Sequence, residues 1–156
     1  MDKLWAPWRI KYVSKVKVKG CIFCSAFKKK NDKKNFVVYR SKQSFAILNT
    51  FPYNNGHVMI VPNRHVAGLD GLTEREIVDM YKVLKIMIAR LRKVIKPAGF
   101  NVGINLGRVS GAGIDKHLHM HLVPRWFGDT NFMPVITGTK IISQSLEELY
   151  KKISGK

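Results

Sequence analysis

KHLHMHLVP, at residues 116–124, places three histidines at every second position. Side chains alternate between the two faces of a β-strand, so this spacing predicts a strand over 117–123 with His117, His119 and His121 on one face. The apolar residues between them then point toward a core. The imidazoles are left to line a cleft. Three neighbouring imidazoles are difficult to explain as scattered structural histidines, because their charged forms would repel one another.

Four further strands are expected around this one. Short apolar runs bounded by turn residues predict strands over 36–39, 45–49, 57–61 and 100–105. Between the last of these and the histidines, the glycine-rich segment 107–113 is expected to be a loop in which the backbone can approach a ligand. Antiparallel strands with helices kept apart from them are typical of an α+β domain, and the length of 156 residues suits one such domain over 1–156.

Two helices are predicted from capping signals and apolar spacing. Thr73 and Glu76 fit a capping box, and apolar residues then recur every three or four positions from Ile77 to Ile95. The methionines of this helix are interpreted as core residues and not as ligands. Ser145 caps a short C-terminal helix with an inward-facing apolar side.

The charge balance is strongly basic, with 28 Lys and Arg against 10 Asp and Glu and a formal charge of +18. A natural partner is therefore expected to be anionic. Many of the lysines, as in the segment 28–34, are expected to form a solvated loop surface. Such a surface could also bind nucleic acid through its phosphates, but no recognition motif accompanies the lysines, so a nucleic-acid partner is the less favoured interpretation.

No apolar run approaches the roughly 18 to 20 residues that span a bilayer, and the first twelve residues lack the apolar stretch of a signal peptide. We therefore expect a cytoplasmic protein with no membrane partner. The two cysteines of the chain form the motif CIFC at residues 21–24. In a protein without an export signal this motif indicates half of a metal site or a redox pair, and not a structural disulfide.

Three blocks of sequence together resemble the histidine-triad (HIT) nucleotide hydrolases and transferases. They are FAILN at 45–49, GHVMIVP at 56–62 and HLHMHLV at 117–123. LWAPWR at 4–9, PRW at 124–126 and GDTNF at 128–132 are similar to the bacterial diadenosine tetraphosphate phosphorylase branch of that family. The resemblance implies a HIT-like fold, which is an antiparallel sheet of about five strands with one long helix and a short C-terminal helix. It also implies that a cysteine-containing arm over 1–35 packs on the domain and that the protein is a homodimer.

The resemblance also implies roles for the histidines. His119 would attack the α-phosphorus of an adenine nucleotide and form a nucleotidyl-histidine intermediate, which water or phosphate then cleaves. Its other ring nitrogen would donate to a backbone carbonyl, which we expect within the 107–113 loop. His121 and His57 would donate hydrogen bonds to the non-bridging phosphate oxygens.

On the substrate side, the family's ribose-binding asparagine falls on Asn49, and the base pocket falls around Phe45, Ile47 and Leu48. Asn105 matches a phosphate-side position. Either asparagine could instead be a turn residue that binds its own backbone.

The loop and the strand end supply the remaining expected substrate contacts. Gly111, Ala112 and Gly113 would lie near the phosphates, and Ala112-Gly113 stands where the phosphorylase branch carries Gly-Ser. The missing hydroxyl leaves open whether phosphate or water is the acceptor. Arg125 and Trp126 offer a cation and an aromatic platform at the rim of the cleft, or else pack in the protein or at a dimer interface.

The same resemblance implies two further metal ligands beside the cysteine pair. Some relatives bind zinc through Cys-x-x-Cys, a histidine after the Gly-His strand and the first histidine of the triad, which are here Cys21, Cys24, His65 and His117. Two thiolates and two imidazoles suit a closed, tetrahedral, structural zinc site. The alternative is that the cysteines are buried thiols and His65 a surface residue.

Several functions stay open at this point. The favoured one is phosphorolysis or hydrolysis of diadenosine polyphosphates, and a hydrolase of nucleoside phosphoramidates or adenylylated small molecules is the alternative enzyme. A basic nucleic-acid-binding module is the alternative of a different class. A zinc hydrolase would need an open coordination position, which the four expected ligands do not leave.

Overall fold

The structure, a computed structural model, describes residues 20–130 and 144–155. Its strands are β1 (Val37–Arg40), β2 (Ser44–Leu48), β3 (Val58–Pro62), β4 (Gly99–Ile104) and β5 (Met120–Arg125). Its helices are α1 (Ile22–Lys29), α2 (Asp32–Asn35), α3 (Glu74–Ile95) and α4 (Leu146–Ser154), and there are short 3₁₀ turns at Leu69–Gly71 and Arg108–Ser110. None of the helices in these ranges is long and apolar enough to cross a membrane.

The five strands form one sheet in the order β1-β2-β3-β5-β4, and every neighbouring pair is antiparallel. The α+β prediction is therefore confirmed, together with the five-stranded sheet, the long helix and the short C-terminal helix. The inner strands β2 and β3 are buried along their whole length. Because successive side chains alternate faces, each of these strands contributes to two separate cores.

One core lies between the sheet and the helices α3 and α4. It contains alternate residues of the central strands, among them Ile60, Met120 and Leu122, packed against Met87 and Leu91 of α3. The opposite face carries a smaller core. There Phe23 and Ala26 of α1 cover apolar side chains of β1, β2 and β3, namely Val37, Phe45, Ile47, Met59 and Val61. The helix that begins within the cysteine motif is thus packed on the sheet.

The long helix α3 begins as predicted. The Thr73 side chain accepts from the backbone N–H of Glu76, and the Glu76 side chain accepts from the backbone N–H of Thr73. Met80 and Met87 are buried in the core, as expected. Ile77 was expected on the same face but is 39% exposed. In this first turn Glu76 is the buried residue instead, because its carboxylate both caps the helix and pairs with Arg64.

The lysine-rich stretch differs from the expectation of a loop. Its lysines are exposed, but the backbone forms the end of α1 and the short helix α2. Lys28 and Lys29 lie in the last turn of α1, where positive charge is favourable to the helix dipole. Asn31 then accepts the backbone N–H of Lys34 and caps α2.

The histidine strand begins later than predicted. Ladder pairing of β5 with β3 and β4 starts at Met120, so His117 and His119 precede the paired part of the strand. The segment before it is held by another contact, because the backbone N–H of Leu118 donates to the carbonyl of Val66 at 2.7 Å. Ladder pairing begins only at Met120 because β4 ends at Ile104, opposite Met120, and pairing with β3 also stops at Ile60, opposite the same residue.

Replacing Glu76 by Gln tests the ion pair between the buried Glu76 and the half-exposed Arg64. The Arg64 guanidinium, followed by hydrogen bonds from Thr73, lowers the pKa of Glu76 to about 2. The ionised form is thus favoured in the folded protein, and its stabilising contribution is present above about pH 4.5 and lost as the pH falls toward 2. We expect Glu76→Gln to lower the free energy of unfolding by about 1 to 3 kcal/mol at neutral pH. Urea unfolding at several pH values measures this.

The control is Glu74→Gln, because Glu74 is an exposed carboxylate in the same first turn. We expect it to change stability much less than Glu76→Gln. A destabilisation by Glu76→Gln that stayed constant down to pH 2 would contradict a role for the ionised carboxylate.

Candidate functional site

The three histidines of the triad are buried, with exposed fractions of 0% for His117, 5% for His119 and 8% for His121. The expectation that they line an open cleft is therefore wrong for this conformation. Two aromatic rings from other segments cover them. The ring of Phe23 in α1 lies 5.4 Å from His117 and 5.1 Å from His119, and the ring of Tyr53 lies 5.5 Å from His121.

His119 is held by a single hydrogen bond that fixes which ring nitrogen is free. Its Nδ1 lies 2.9 Å from the carbonyl oxygen of His117. A carbonyl can only accept, so Nδ1 carries the proton, and in the neutral ring Nε2 has a free lone pair. The acceptor was expected within the 107–113 loop, but it is the carbonyl two residues before His119.

His57 and His121 form a hydrogen-bonded pair, and the direction of the bond can be worked out. The backbone N–H of Tyr53 donates to Nδ1 of His57 at 3.0 Å, so that nitrogen is unprotonated. The other nitrogen of His57, Nε2, therefore carries the proton and donates to Nδ1 of His121 at 2.9 Å. Nδ1 of His121 is then an acceptor, and its Nε2 is an N–H donor. That Nε2 is buried and has no hydrogen-bond partner among the described residues.

The pKa values favour this neutral arrangement. Burial lowers the pKa of His57 to about 3, with further lowering from the neighbouring His121 and His119. Burial also lowers the pKa of His121 to about 4, and His119 adds to the effect. The pKa of His119 is lowered as well, mainly by burial. All three rings are thus neutral near pH 7, which the lone pair on His119 requires.

The predicted role of His57 changes as a result. It was expected to donate to a phosphate oxygen, but both of its ring nitrogens are engaged inside the protein, with Tyr53 on one side and His121 on the other. Its side chain is also only 1% exposed. His57 therefore orients His121 and does not itself present a donor to a ligand.

The four expected metal ligands come together. The ligand atoms of Cys21, Cys24, His65 and His117 all lie within 4.8 Å of one another. The Sγ atom of Cys21 is 3.2 Å from Nδ1 of His117, and that of Cys24 is 3.3 Å from Nδ1 of His65. The two Nδ1 atoms are 3.2 Å apart, and Sγ of Cys24 is 3.6 Å from Nδ1 of His117. Tetrahedral zinc with such ligands has edges of about 3.3 to 3.8 Å, so the spacing fits.

The chemistry of the donor set also fits a cation. Nε2 of His117 lies 3.0 Å from the carbonyl of Pro62, which can only accept, so Nδ1 turns its lone pair into the cluster. Burial, and then the neighbouring Cys21, raise the pKa of the Cys24 thiol. A divalent ion would offset that effect and stabilise both thiolates. The cluster is closed by four protein ligands, which is typical of a structural and not a catalytic zinc site.

The residues that were predicted to form the base pocket lie on opposite faces of the sheet. Phe45 and Ile47 face the α1 side, where Phe45 stacks on Phe27 with centroids 5.7 Å apart. Leu48 belongs to the core under α3 and is 1% exposed, so it cannot line the same pocket. The prediction for Leu48 is wrong because adjacent residues of a strand point to opposite faces.

Asn49 follows β2 and lies beside the histidine pair. Its Oδ1 accepts the backbone N–H of Phe51 at 2.9 Å, which is the turn arrangement considered as the alternative to ribose binding. Its Nδ2 lies 3.3 Å from Nδ1 of His57. A role in ribose binding stays a prediction, and it would use an asparagine that already supports the histidines.

The loop before the histidines is open. Asn105 is half-buried directly after β4, and Gly111 and Gly113 are exposed, with space around each where a side chain would lie. Gly111 has a φ of 86°, which ends the 3₁₀ turn over 108–110 and favours glycine. Ala112 is half-buried. Contacts of these residues with phosphates stay predictions.

Trp126 lies away from the histidines of its own chain. It follows the end of β5, so it is displaced from His121 along the strand by about 16 Å at 3.3 Å per residue. Its Nε1 donates to the carbonyl of Lys96 at the end of α3. The neighbouring Arg125 is bound to Asp129 and Asn101. Within one chain these two residues therefore pack at the far end of the sheet.

A separate cavity lies beside the core of α3 and α4. Its volume is about 560 Å³, and its walls are formed by side chains of α2 and α4 and the residues next to them, namely Asn31, Lys33, Lys34, Phe36, Glu147, Tyr150 and Lys151. None of these residues belongs to the predicted site. The cavity and the histidines are thus different places in the fold.

No motif predicts the two aromatic rings that cover the histidines. Phe23 lies inside the cysteine motif and looked like an ordinary apolar residue, and Tyr53 lies in a turn without periodicity. The chain order of the motifs could have suggested Phe23, because a metal site would bring residues 21–24 close to His117. No comparable signal exists for Tyr53.

Comparison with known proteins is consistent with this geometry. The HIT domain family model matches residues 30–128 of the chain. An AP-4-A phosphorylase of Mycobacterium tuberculosis is 39% identical over 156 residues, which covers 95% of this chain and 80% of that protein. The segment at 4–9 and the last two residues of the segment at 128–132 lie outside the described residues.

Solved structures share the fold. A hypothetical histidine triad nucleotide-binding protein from Sulfolobus tokodaii superposes with a TM-score of 0.70 at 27% identity, and the match covers 86% of this chain and 90% of that one. A Zn-bound histidine triad family protein from Mycobacterium smegmatis gives a TM-score of 0.70 at 22% identity, covering 87% and 91% of the two chains. The second likeness concerns the fold alone.

The metal cluster makes a prediction for the purified protein. We expect about one zinc ion per chain, and we expect Cys24→Ser to lose it, because a serine hydroxyl is a far poorer zinc ligand than a thiolate. Removal of the ion should lower the melting temperature, since a bound metal stabilises the folded state. Elemental analysis and thermal unfolding measure the two effects.

The matched control is Ser25→Ala, which changes the residue next to Cys24 outside the cluster. It should keep its zinc. A wild-type protein that binds no zinc after refolding with excess metal would show that the cluster is not a metal site.

Proposed function

The chain belongs to the HIT domain family, and from this premise we propose that it cleaves adenine nucleotides at the α-phosphorus through a covalent intermediate on His119. The substrate class we propose is the diadenosine polyphosphates. The relative from Mycobacterium tuberculosis, named an AP-4-A phosphorylase and similar over nearly the whole chain, supports this choice.

One observation carries the mechanism. His119 has a lone pair on Nε2 because its Nδ1 donates to the carbonyl of His117. The ring centroid of His121 lies 4.8 Å from that of His119, and the Nε2–H of His121 is buried without a partner among the described residues. A nucleophile next to a vacant donor is what attack on a phosphoryl group needs, since the donor can stabilise the charge that builds on oxygen.

The reaction proceeds in two steps. Nε2 of His119 attacks the α-phosphorus, the bond from phosphorus to the bridging oxygen breaks, and the remainder of the polyphosphate leaves with the bonding electrons. The proton on Nδ1 stays in place, so the adduct is a positively charged imidazole that departs easily. Water or phosphate then attacks the same phosphorus, the phosphorus–nitrogen bond breaks, and neutral His119 is restored.

His121 and His57 act together in this scheme. His121 donates from Nε2 to a non-bridging oxygen, while His57 keeps the proton off Nδ1 of His121 by donating to it. Zinc, when bound by Cys21, Cys24, His65 and His117, would hold His117, whose carbonyl orients the nucleophile. The ion supplies structure only, because the four ligands leave no position for substrate.

The molecule that attacks the adduct in the second step is either phosphate or water. The similarity to the phosphorylase favours phosphate, whereas Ala112-Gly113 lacks the hydroxyl found in that branch. The nearby hydroxyl of Ser110 does not replace it, because it donates to the carbonyl of Gly107 at 2.7 Å. We propose phosphate as acceptor, with hydrolysis of adenylylated small molecules or phosphoramidates as the alternative activity.

We also propose one domain over 1–156, a homodimer and a cytoplasmic location, as the family resemblance and the sequence lead us to expect. A basic nucleic-acid-binding module is the competing hypothesis, supported by the exposed lysines of α1 and α2. Tight, salt-sensitive RNA binding by a protein that turns over no nucleotide would favour it.

Trapping the intermediate tests the covalent step. Zinc-loaded protein is mixed with diadenosine tetraphosphate labelled at the α-phosphorus and quenched within one turnover. We expect an acid-labile, alkali-stable label on the wild-type protein and none on His119→Ala. We expect His121→Ala to form the adduct about 10² to 10³ times more slowly, as for the loss of one donor to a developing charge.

The control is Tyr81→Ala, which removes an exposed side chain of α3 far from the histidines and should label like wild type. Absence of label on a folded, zinc-loaded wild type, or turnover by His119→Ala at the wild-type rate, would show the mechanism to be wrong.

Product analysis tests the acceptor. Attack by phosphate on the adduct converts diadenosine tetraphosphate into ADP and ATP, whereas attack by water gives AMP and ATP. We expect ADP to appear in proportion to added phosphate. Separation of the products with and without phosphate measures this, and AMP as the only other product at saturating phosphate would assign the enzyme as a hydrolase.

A further inference from the structure

Tyr53 lies over the histidine pair in a way that no motif of the sequence predicts. It belongs to the loop between β2 and β3, and its ring centroid is 4.6 Å from that of His57 and 5.5 Å from that of His121. The planes of Tyr53 and His121 differ by only 29°, so the tyrosine is stacked on the imidazole. Its side chain is 50% exposed, which means that one face covers the pair and the other meets solvent.

The backbone of the same residue fixes the proton on His57. Its N–H donates to Nδ1 of His57, and this donor is what makes His57 Nε2 a donor toward His121. Tyr53 thus contacts the His57–His121 pair in two ways. The backbone sets the direction of the hydrogen bonds, and the ring keeps water from the two imidazoles.

Hydrogen bonds on both sides of Tyr53 hold the loop, and they fix the backbone that carries the ring. Before it, Asn49 accepts from the backbone of Phe51. After it, the buried Asn54 donates to the carbonyl of Pro124 at 2.9 Å and to Asp129 at 2.7 Å. Gly56 follows with a φ of 77°, and a Cβ there would lie 2.6 Å from Ile95, so the loop rests directly on the end of α3.

Protonation of either imidazole would break this arrangement. A proton on Nδ1 of His57 would meet the N–H of Tyr53, and a proton on Nδ1 of His121 would meet the N–H of His57. Within residues 20–130 and 144–155, few groups face the pair. His119 faces it from the histidine segment, Tyr53 itself from the β2–β3 loop, and the partners of His121 in the sheet are the uncharged Met59 and Gly103. No acidic group is present among these to favour the charged forms.

We propose that Tyr53 is a positioning residue whose ring shields the His57–His121 pair from water, so that both rings stay neutral and His121 keeps its free N–H donor. The shielding rests on the geometry alone, while its consequence for the reaction rests on the proposed function. Burial is the main cause of the lowered pKa values of His57 and His121, and the tyrosine ring is the half-exposed part of that covering. Both contacts are made by the ring, so phenylalanine should serve as well.

The experiment follows the two imidazoles directly. Zinc-loaded full-length protein with isotope-labelled histidine is titrated by NMR from about pH 8 down to about pH 4, the range in which an ordinary histidine gains its proton. In wild type His57 and His121 should stay neutral over most of this range. In Tyr53→Ala we expect both to titrate at least about one pH unit higher, because water can then solvate the charged rings. Tyr53→Phe should restore the wild-type titration.

Two further measurements complete the test. Tyr81→Ala, which removes a comparably exposed tyrosine from α3, should leave both titrations unchanged. In enzyme assays with diadenosine tetraphosphate, Tyr53→Ala should move the acid limb of kcat/KM upward by the same amount as the imidazoles, so that activity at about pH 4 and below falls up to about tenfold further than in wild type. Activity at alkaline pH should change far less.

The outcomes separate this proposal from the proposed function. Unshifted titrations in a folded Tyr53→Ala would overturn it, whether or not the protein is active. Shifted titrations with an unmoved acid limb would overturn the positioning role. Should wild type prove inactive on nucleotides, the proposed function fails, while the titrations still decide whether Tyr53 shields the pair.

Discussion

The contacts of His117 hold the site together. Its Nδ1 lies among the sulfur and nitrogen atoms of the metal cluster, its Nε2 donates to the carbonyl of Pro62 at the end of β3, and its own carbonyl accepts from His119. One residue thus connects the cysteine-bearing segment, the central strand and the proposed nucleophile. A displacement of its ring would also move the carbonyl that fixes the proton of His119.

Much of the fold could be predicted from local pattern. The capping box and the apolar spacing located α3, while the alternating histidines located one strand and short apolar runs the other four, because these signals depend on the residues of the element itself. The limits of β5 could not be predicted in this way. A strand begins where partners are available, and the residues of its two partners that lie opposite Met120 are Ile60 and Ile104, in earlier elements of the chain.

The residues of the site could be predicted from the sequence, but their hydrogen bonds and the faces on which their side chains lie could be predicted less well. Motif spacing and family resemblance brought together the histidines and the four possible metal ligands. The role of His57 could not be foreseen, because it depends on a backbone N–H in a turn. Leu48 was misplaced since a run of apolar residues does not reveal which face each one takes, and both faces of β2 are buried.

The hydrogen bond between His57 and His121 joins residues 64 positions apart, and the contact of Cys21 with His117 spans 96 positions. Closing such long loops costs conformational entropy before any contact is formed, so these pairings are expected late in folding. The order of events along the chain follows from this. The core beneath α1 can form from nearer segments, within residues 23–61, whereas the arrangement of protons on the imidazoles exists only in the completed fold. A growing or partly folded chain therefore carries the histidines without their reactivity.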